Sequence, residues 1–166
     1  APGPACYGLG GTRATVTDAN LVLGRINPEN FLGGQMALNV GAAEKAIADV
    51  ATEISKSPQE AALGIVQIAN NNMIGALRSV LTERGLDPRD FTLLAFGGAG
   101  PVHISDLMPL ANIHSGIVPN YPGQFSAFGF TMTDARIDVE RTTPMTSKAF
   151  RREHANAVMD DLVRES

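Results

Sequence analysis

Three glycines within four residues, Gly97, Gly98 and Gly100, follow the apolar run 92–96 and lead into Pro101-Val102-His103. Glycine has no Cβ, so such a turn can take positive φ and bring backbone N–H groups close to a ligand. Pro101 suits the first turn of a helix, where its missing N–H is not needed. A helix starting there presents unpaired N–H groups and a partial positive charge to an anion. The pattern reads as a strand, a glycine turn and a helix able to cradle a phosphate or nucleoside. Its candidate contacts are Gly97, Gly98, Ala99, Gly100 and His103. The plainer alternative is an ordinary strand-to-helix turn in an α/β domain. Two known loops do not match. A P-loop ends in Gly-Lys-Ser/Thr, and the dinucleotide fingerprint needs a third glycine where His103 stands.

Other residues carry chemistry more weakly. His103, in the first turn of its helix, can bond a phosphate, donate a proton or serve a structural role. Asp18 is a candidate carboxylate for a metal or a proton, although its position also suits a helix cap. Asn70-Asn71-Asn72 interrupts a long helical pattern. Asn competes for backbone hydrogen bonds inside helices, so at least one of the three should face something polar. Asn70 is the candidate to reach the ligand region; the alternative is a solvated polar face. Cys6 shows no local base or helix terminus that would activate it, so it reads as buried and inert.

The elements that position these residues follow from periodicity and punctuation. Residues 1–17 are rich in Gly and Pro, and little regular structure is expected there. Residues 17–24 predict a short helix capped by Thr17 or Asp18 and ended by Gly24. Residues 25–39 read as a loop with two turns. Residues 41–56 carry Ala43, Ile47, Val50 and Ile54 at amphipathic spacing. Ser57, Pro58 and Glu60 then form a capping-box start for a helix over 58–84. Ile65, Ala69, Met73, Leu77 and Leu81 form its expected apolar stripe. The run 92–96 suits a strand covered on both faces, although a short apolar run also fits a buried helix segment. A helix over 101–111, a short strand over 115–119, a turn over 120–124 and a buried helix over 125–130 follow. Residues 134–143 alternate like a half-exposed strand. The charged segment 147–166 reads as a helical or disordered tail.

Composition bounds the rest. The 166 residues are 44% hydrophobic and 18% charged, enough for a sizeable core in one domain or a piece of a larger one. A net charge of −4 argues against general nucleic-acid binding. The single cysteine fits a reducing, cytoplasmic setting. No apolar run reaches the length of a membrane span, and no basic, apolar leader opens the chain. The first residue is Ala1, and Ser166 stands inside a helix-like segment. The expectation is an excised fragment.

With these motifs in order, the sequence resembles the hydantoinase A/5-oxoprolinase family, which includes ATP-binding subunits of acetone- and acetophenone-type carboxylases. The resemblance is carried by Gly3-Pro4-Ala5-Cys6-Tyr7-Gly8-Leu9-Gly10-Gly11, Thr15-Val16-Thr17-Asp18-Ala19-Asn20, Phe31-Leu32-Gly33-Gly34 and Asp87-Pro88-Arg89-Asp90-Phe91. Phe96-Gly97-Gly98-Ala99-Gly100-Pro101-Val102-His103 and Pro122-Gly123-Gln124-Phe125-Ser126-Ala127-Phe128-Gly129 complete it. It implies an α/β fold, part of an actin-like ATPase (ribonuclease H-like) lobe with a short mixed sheet packed by helices. Residues 1–146 would belong to the ATPase-like domain and 147–166 to the tail. It implies that Gly97–Gly100 hold the adenosine side of ATP, and that ATP activates a cyclic amide such as a hydantoin or 5-oxoproline. A ketone carboxylase subunit, or a non-catalytic subunit-docking fragment, is the alternative. Phosphoryl transfer of this kind rests on positioning and charge neutralisation, usually with Mg²⁺. The family's amino-terminal phosphate loop is absent from this sequence, so the metal ligands are expected mostly outside it and the piece alone is expected to be inactive. A hydantoinase B-type partner subunit is also implied.

Overall fold

The computed structural model describes residues 2–134 and 136–165. The chain forms two compact units, Ala1–Ser126 and Ala127–Ser166.

The first unit holds α1 (Val16–Val22), α2 (Val40–Glu53), α3 (Pro58–Glu83), β1 (Thr92–Leu94), α4 (Gly100–Ala111) and β2 (Ser115–Ile117). Each of the first three helices starts at a side-chain cap. Asn39 accepts the Ala42 N–H at 2.9 Å to open α2. At α3 the expected capping box is present: Ser57 Oγ accepts the Glu60 N–H at 3.3 Å, and Glu60 accepts the Ser57 N–H at 2.9 Å. For α1 the cap is Thr15, not Thr17 or Asp18. Asp18 is the third helical residue, and its carboxylate reaches back to Thr15.

The buried ridge of α3 runs Ala62, Val66, Asn70, Ile74, one residue away from the expected stripe. Ile65, Met73 and Leu77 are half-buried beside it, and Ile68 and Val80 are exposed. The shift has a packing cause. Val66, Ala61 and Ala62 meet Ala19, Ile47 and Ala51 of α1 and α2. Small residues let helix axes approach closely, so alanines rather than the larger aliphatics define the contact line. Burying Ile47 and Val66 completely contributes about 1.5–3 kcal/mol each. A second cluster joins Cys6 to Leu21, Leu38 and Ala43, and a third joins Ile74 of α3 to Leu107 and Ala111 of α4 and Ile113.

The strands β1 and β2 pair in parallel, with Leu93 opposite Gly116. The expected mixed sheet is therefore corrected to a two-stranded parallel one among the described residues. Coverage on both faces is corrected as well. Leu93 and Gly116 share the face that meets α4, where a Cβ on Gly116 would lie 2.6 Å from Met108 Sδ. Leu94 and Ile117 point to the other face by the period-two rule, and they are exposed.

In the amino-terminal segment, expected to be irregular, residues Ala5–Tyr7 form a 3₁₀ turn that buries Cys6 completely. The Tyr7 and Phe31 rings pack 5.6 Å apart. A further short turn, Pro122–Gln124, leads into α5 (Phe125–Thr131). That helix was expected to be buried, yet Phe128 and Phe130 are exposed.

In the second unit, α6 (Arg152–Glu165) carries no buried residue. Arg141 pairs with Asp161 at 3.6 Å and with Glu165. Residues 136–143 form no strand, contrary to their alternation. Alternation supplies a two-faced pattern but no ladder partner, and a strand needs both. Among the described residues, no helix is long and apolar enough to cross a membrane.

Candidate functional site

The glycine turn leaves the carboxyl end of β1. Ala95 N–H continues the ladder to Ile117 O at 2.9 Å. Gly97 then takes φ +81°, a left-handed value that disfavours side chains. Its N–H donates to Pro122 O at 2.7 Å, so Gly97 ties the turn after β1 to the turn after β2. The N–H of Gly97 is thereby occupied by the protein. The residue before α4, Ala99, offers no side-chain cap. In the first turn of α4, Pro101 has no N–H and the Val102 N–H returns to Ala99 O at 3.0 Å, so the Gly100 N–H is the donor at this end that a ligand could meet. The crevice beyond the carboxyl ends of parallel strands is where α/β folds take ligands. An apolar cleft of about 550 Å³ reaches this point, lined by Met73, Leu77, Leu93, Phe96, Gly100 and Leu107.

His103, one turn into α4, is 4% exposed. Its Nδ1 lies 2.8 Å from Asn70 Oδ1. The Asn70 amide nitrogen donates to Asp106 Oδ2 at 2.9 Å, and Arg25 Nη1 donates to the same oxygen at 2.5 Å. Arg25, Asp106, Asn70 and His103 therefore form one continuous chain of hydrogen bonds. Asn70 alone of the three asparagines is buried, because it occupies the ridge of α3 that meets α4. Burial, followed by the positive Arg25, lowers the His103 pKa, with Asp106 opposing. Burial works to raise that of Asp106, but the hydrogen bonds from Arg25 and Asn70 outweigh it and hold the carboxyl below its ordinary range. The Arg25–Asp106 end lines a second cleft of about 400 Å³ together with Gln67, Asn71 and Ser105.

Sequence reasoning singled out Asn70 and His103, and the structure brings them together. It did not name Arg25 or Asp106. Asp106 had a legible signal, since it stands three residues after His103 on the same helix. Arg25 had none, because it comes from a loop distant in sequence.

Asp18 stands apart: no hydrogen bond joins it to His103 or to the glycine turn. It is fully buried. Its carboxylate accepts the N–H groups of Cys6 at 2.8 Å, Ala5 at 3.2 Å and Thr15 at 3.0 Å, and the Thr15 hydroxyl at 2.7 Å. Burial pushes its pKa up, but these bonds prevail and it lies below 3.8. Cys6 is pushed up to about 12 by burial and by Asp18. Among the described residues, no group of three or more His, Cys, Asp or Glu side chains is placed to hold a metal ion.

Comparison with known proteins places these observations. The hydantoinase/oxoprolinase family pattern matches residues 1–139. The chain is 41% identical over 145 residues to caprolactamase subunit alpha of Pseudomonas jessenii, covering 87% of this chain and 21% of that protein. It is 45% identical over 134 residues to the acetophenone carboxylase gamma subunit of Aromatoleum aromaticum, covering 80% and 18%. The crystal structure of the ATP-dependent caprolactamase superposes with a TM-score of 0.75 at 38% identity, covering 99% of this chain and 24% of that one. Nucleotide-free acetone carboxylase gives 0.77 at 29% identity, covering 98% and 24%. The chain thus spans about a fifth of the length of the curated relatives it matches. By sequence pattern and by fold, it belongs to the hydantoinase/oxoprolinase family.

Proposed function

We propose that this chain is the adenosine-side part of an actin-like, ATP-dependent enzyme that opens cyclic amides, with residues 1–146 belonging to its ATPase-like domain. One observation carries the reading. β1 ends in a glycine turn that opens onto the uncapped amino terminus of α4. Family membership and the name of the ATP-dependent caprolactamase support it. The N–H groups of Gly98, Ala99 and Gly100 would face phosphate oxygens, and the apolar cleft beside Gly100 would receive the base. ATP supplies a phosphoryl group that turns an amide oxygen into a better leaving group. This chain's residues bind and orient the nucleotide. Mg²⁺ is part of the reading, but the donors present here do not make its site, and no step is routed through it. The relatives' names as alpha and gamma subunits support a partner subunit, and the reading takes that partner to be of hydantoinase B type and the enzyme to be cytoplasmic.

A second reading, ATP-dependent ketone carboxylation, is favoured by the 45% identity to the acetophenone carboxylase subunit. Two experiments separate the possibilities. Titrating the isotope-labelled chain with a non-hydrolysable ATP analogue should shift the amides of Gly98, Ala99 and Gly100; silence there defeats the nucleotide reading. Assaying the full-length protein with its partner on hydantoin, 5-oxoproline and acetone, with and without ATP, distinguishes hydrolase from carboxylase.

A further inference from the structure

A carboxylate oxygen only accepts hydrogen bonds, so the contact with Asp106 Oδ2 fixes which end of the Asn70 amide faces it: the nitrogen. Asn70 Oδ1 is then the atom presented to His103 Nδ1 at 2.8 Å. An amide oxygen cannot donate. The proton in that contact must therefore sit on Nδ1. Arg25 donates to the same Asp106 oxygen, so the donors converge on the carboxylate: His103 gives to Asn70, Asn70 to Asp106, and Arg25 to Asp106 from the other end of the chain.

We infer that Asp106, acting through Asn70, is a positioning residue that locks His103 in the Nδ1–H form, so that Nε2 presents a lone pair to a hydroxyl or N–H donor on a bound ligand. Nε2 has no hydrogen-bond partner among the described residues. His103 stands in the first turn of α4, at the end of the helix that opens on the glycine turn. Neutral imidazole with its proton committed to Asn70 cannot donate to a phosphate oxygen through Nε2. The groups it suits in a nucleotide are a ribose hydroxyl or the amino group of the base. The lowered pKa agrees, because it keeps the ring neutral near pH 7. The ligand half of this inference rests on the nucleotide reading above; the tautomer half does not.

The test is long-range ¹H–¹⁵N spectroscopy of the histidine-labelled chain. In the wild type, Nδ1 should show a protonated-type and Nε2 an unprotonated-type resonance. An Nε2–H form in the wild type overturns the inference outright, with no variant required. In Asp106→Asn the Asn70 amide is free to turn, and the two nitrogen resonances should move toward each other as both tautomers become populated. An unchanged tautomer in the folded variant overturns the role of Asp106. Arg25→Gln leaves the carboxylate on Asn70 and should keep the Nδ1–H form; loss there overturns the stated direction of the relay. Adenosine should then move the Nε2 resonance, and tripolyphosphate should not. If adenosine shifts the Gly98 amide but not Nε2, the ligand half fails while the nucleotide reading stands. If neither probe shifts Gly98 and the tautomer is Nδ1–H, the nucleotide reading and the ligand half fail together and the relay stands.

Discussion

Asp18 Oδ1 accepts the backbone N–H of Cys6 at 2.8 Å across twelve residues of chain. The partner oxygen gathers Ala5 and Thr15, so one buried carboxylate organises both the amino-terminal segment and the start of α1. Asp18→Ala should destabilise the fold by about 3 kcal/mol, since it leaves buried N–H groups without an acceptor. Urea unfolding followed by circular dichroism reads this directly. The folded pKa lies below 3.8. Its contribution is thus complete above that value and is lost as pH falls below it. Acid unfolding of Asp18→Ala should accordingly be shallower than that of the wild type.

His103 gives a separate signature nearer neutrality. Its folded pKa is lowered from 6.5, so the unfolded chain binds more protons just below that pH. Stability from this group is complete above about 6.5 and declines as pH falls through and below it. His103→Gln should reduce the loss of stability between pH about 7.5 and about 5.5. Equal losses in variant and wild type would contradict the assignment.

Two glycines are expected to respond differently to alanine. A Cβ on Gly11 would stand 2.2 Å from Gly3 O and 2.9 Å from Pro4 O, both backbone atoms. Gly11→Ala should cost about 1–3 kcal/mol, because backbone must shift. A Cβ on Gly116 meets the tips of Met108 and Ile104 side chains, which can move aside. Gly116→Ala should cost less than Gly11→Ala, toward the lower end of about 1–3 kcal/mol. Paired thermal melts would test the ranking.

Cys6 should resist alkylation in the native chain. Raising the thiol from 9.0 to about 12 cuts the thiolate fraction at neutral pH about a thousandfold. Iodoacetamide should therefore label Cys6 at a rate set by unfolding, and faster labelling of folded protein would show an accessible thiolate.

Local rules were legible wherever the determinants lay within a few residues. Ser57, Pro58 and Glu60 announce the start of α3 because a capping box is complete in four residues. The ridge of α3 was not legible to the residue, since alanines at 61 and 62 face the core for reasons set by α1 and α2. Hydrophobicity alone assigned that face to Ile65 and Met73. The exposure of Phe128, and the missing strand at 136–143, have a shared origin: burial and pairing are set by the tertiary fold, which local pattern does not report. The candidate site divides the same way. Gly97 and His103 declare themselves through type and spacing, whereas Arg25 enters only when the tertiary fold carries it to Asp106.

The separations along the chain also set an order of assembly. Asp18 closes on Ala5 over thirteen residues, and Arg25 closes on Asp106 over eighty-one. Loop-closure entropy makes the second contact about 1.6 kcal/mol more costly to form. The clasp around Asp18 should therefore be present in the folding transition state and the Arg25–Asp106 pair absent. Substitutions at Asp18 should slow folding, and substitutions at Asp106 should mainly speed unfolding. A chain under stress is expected to release the histidine relay while Cys6 is still held.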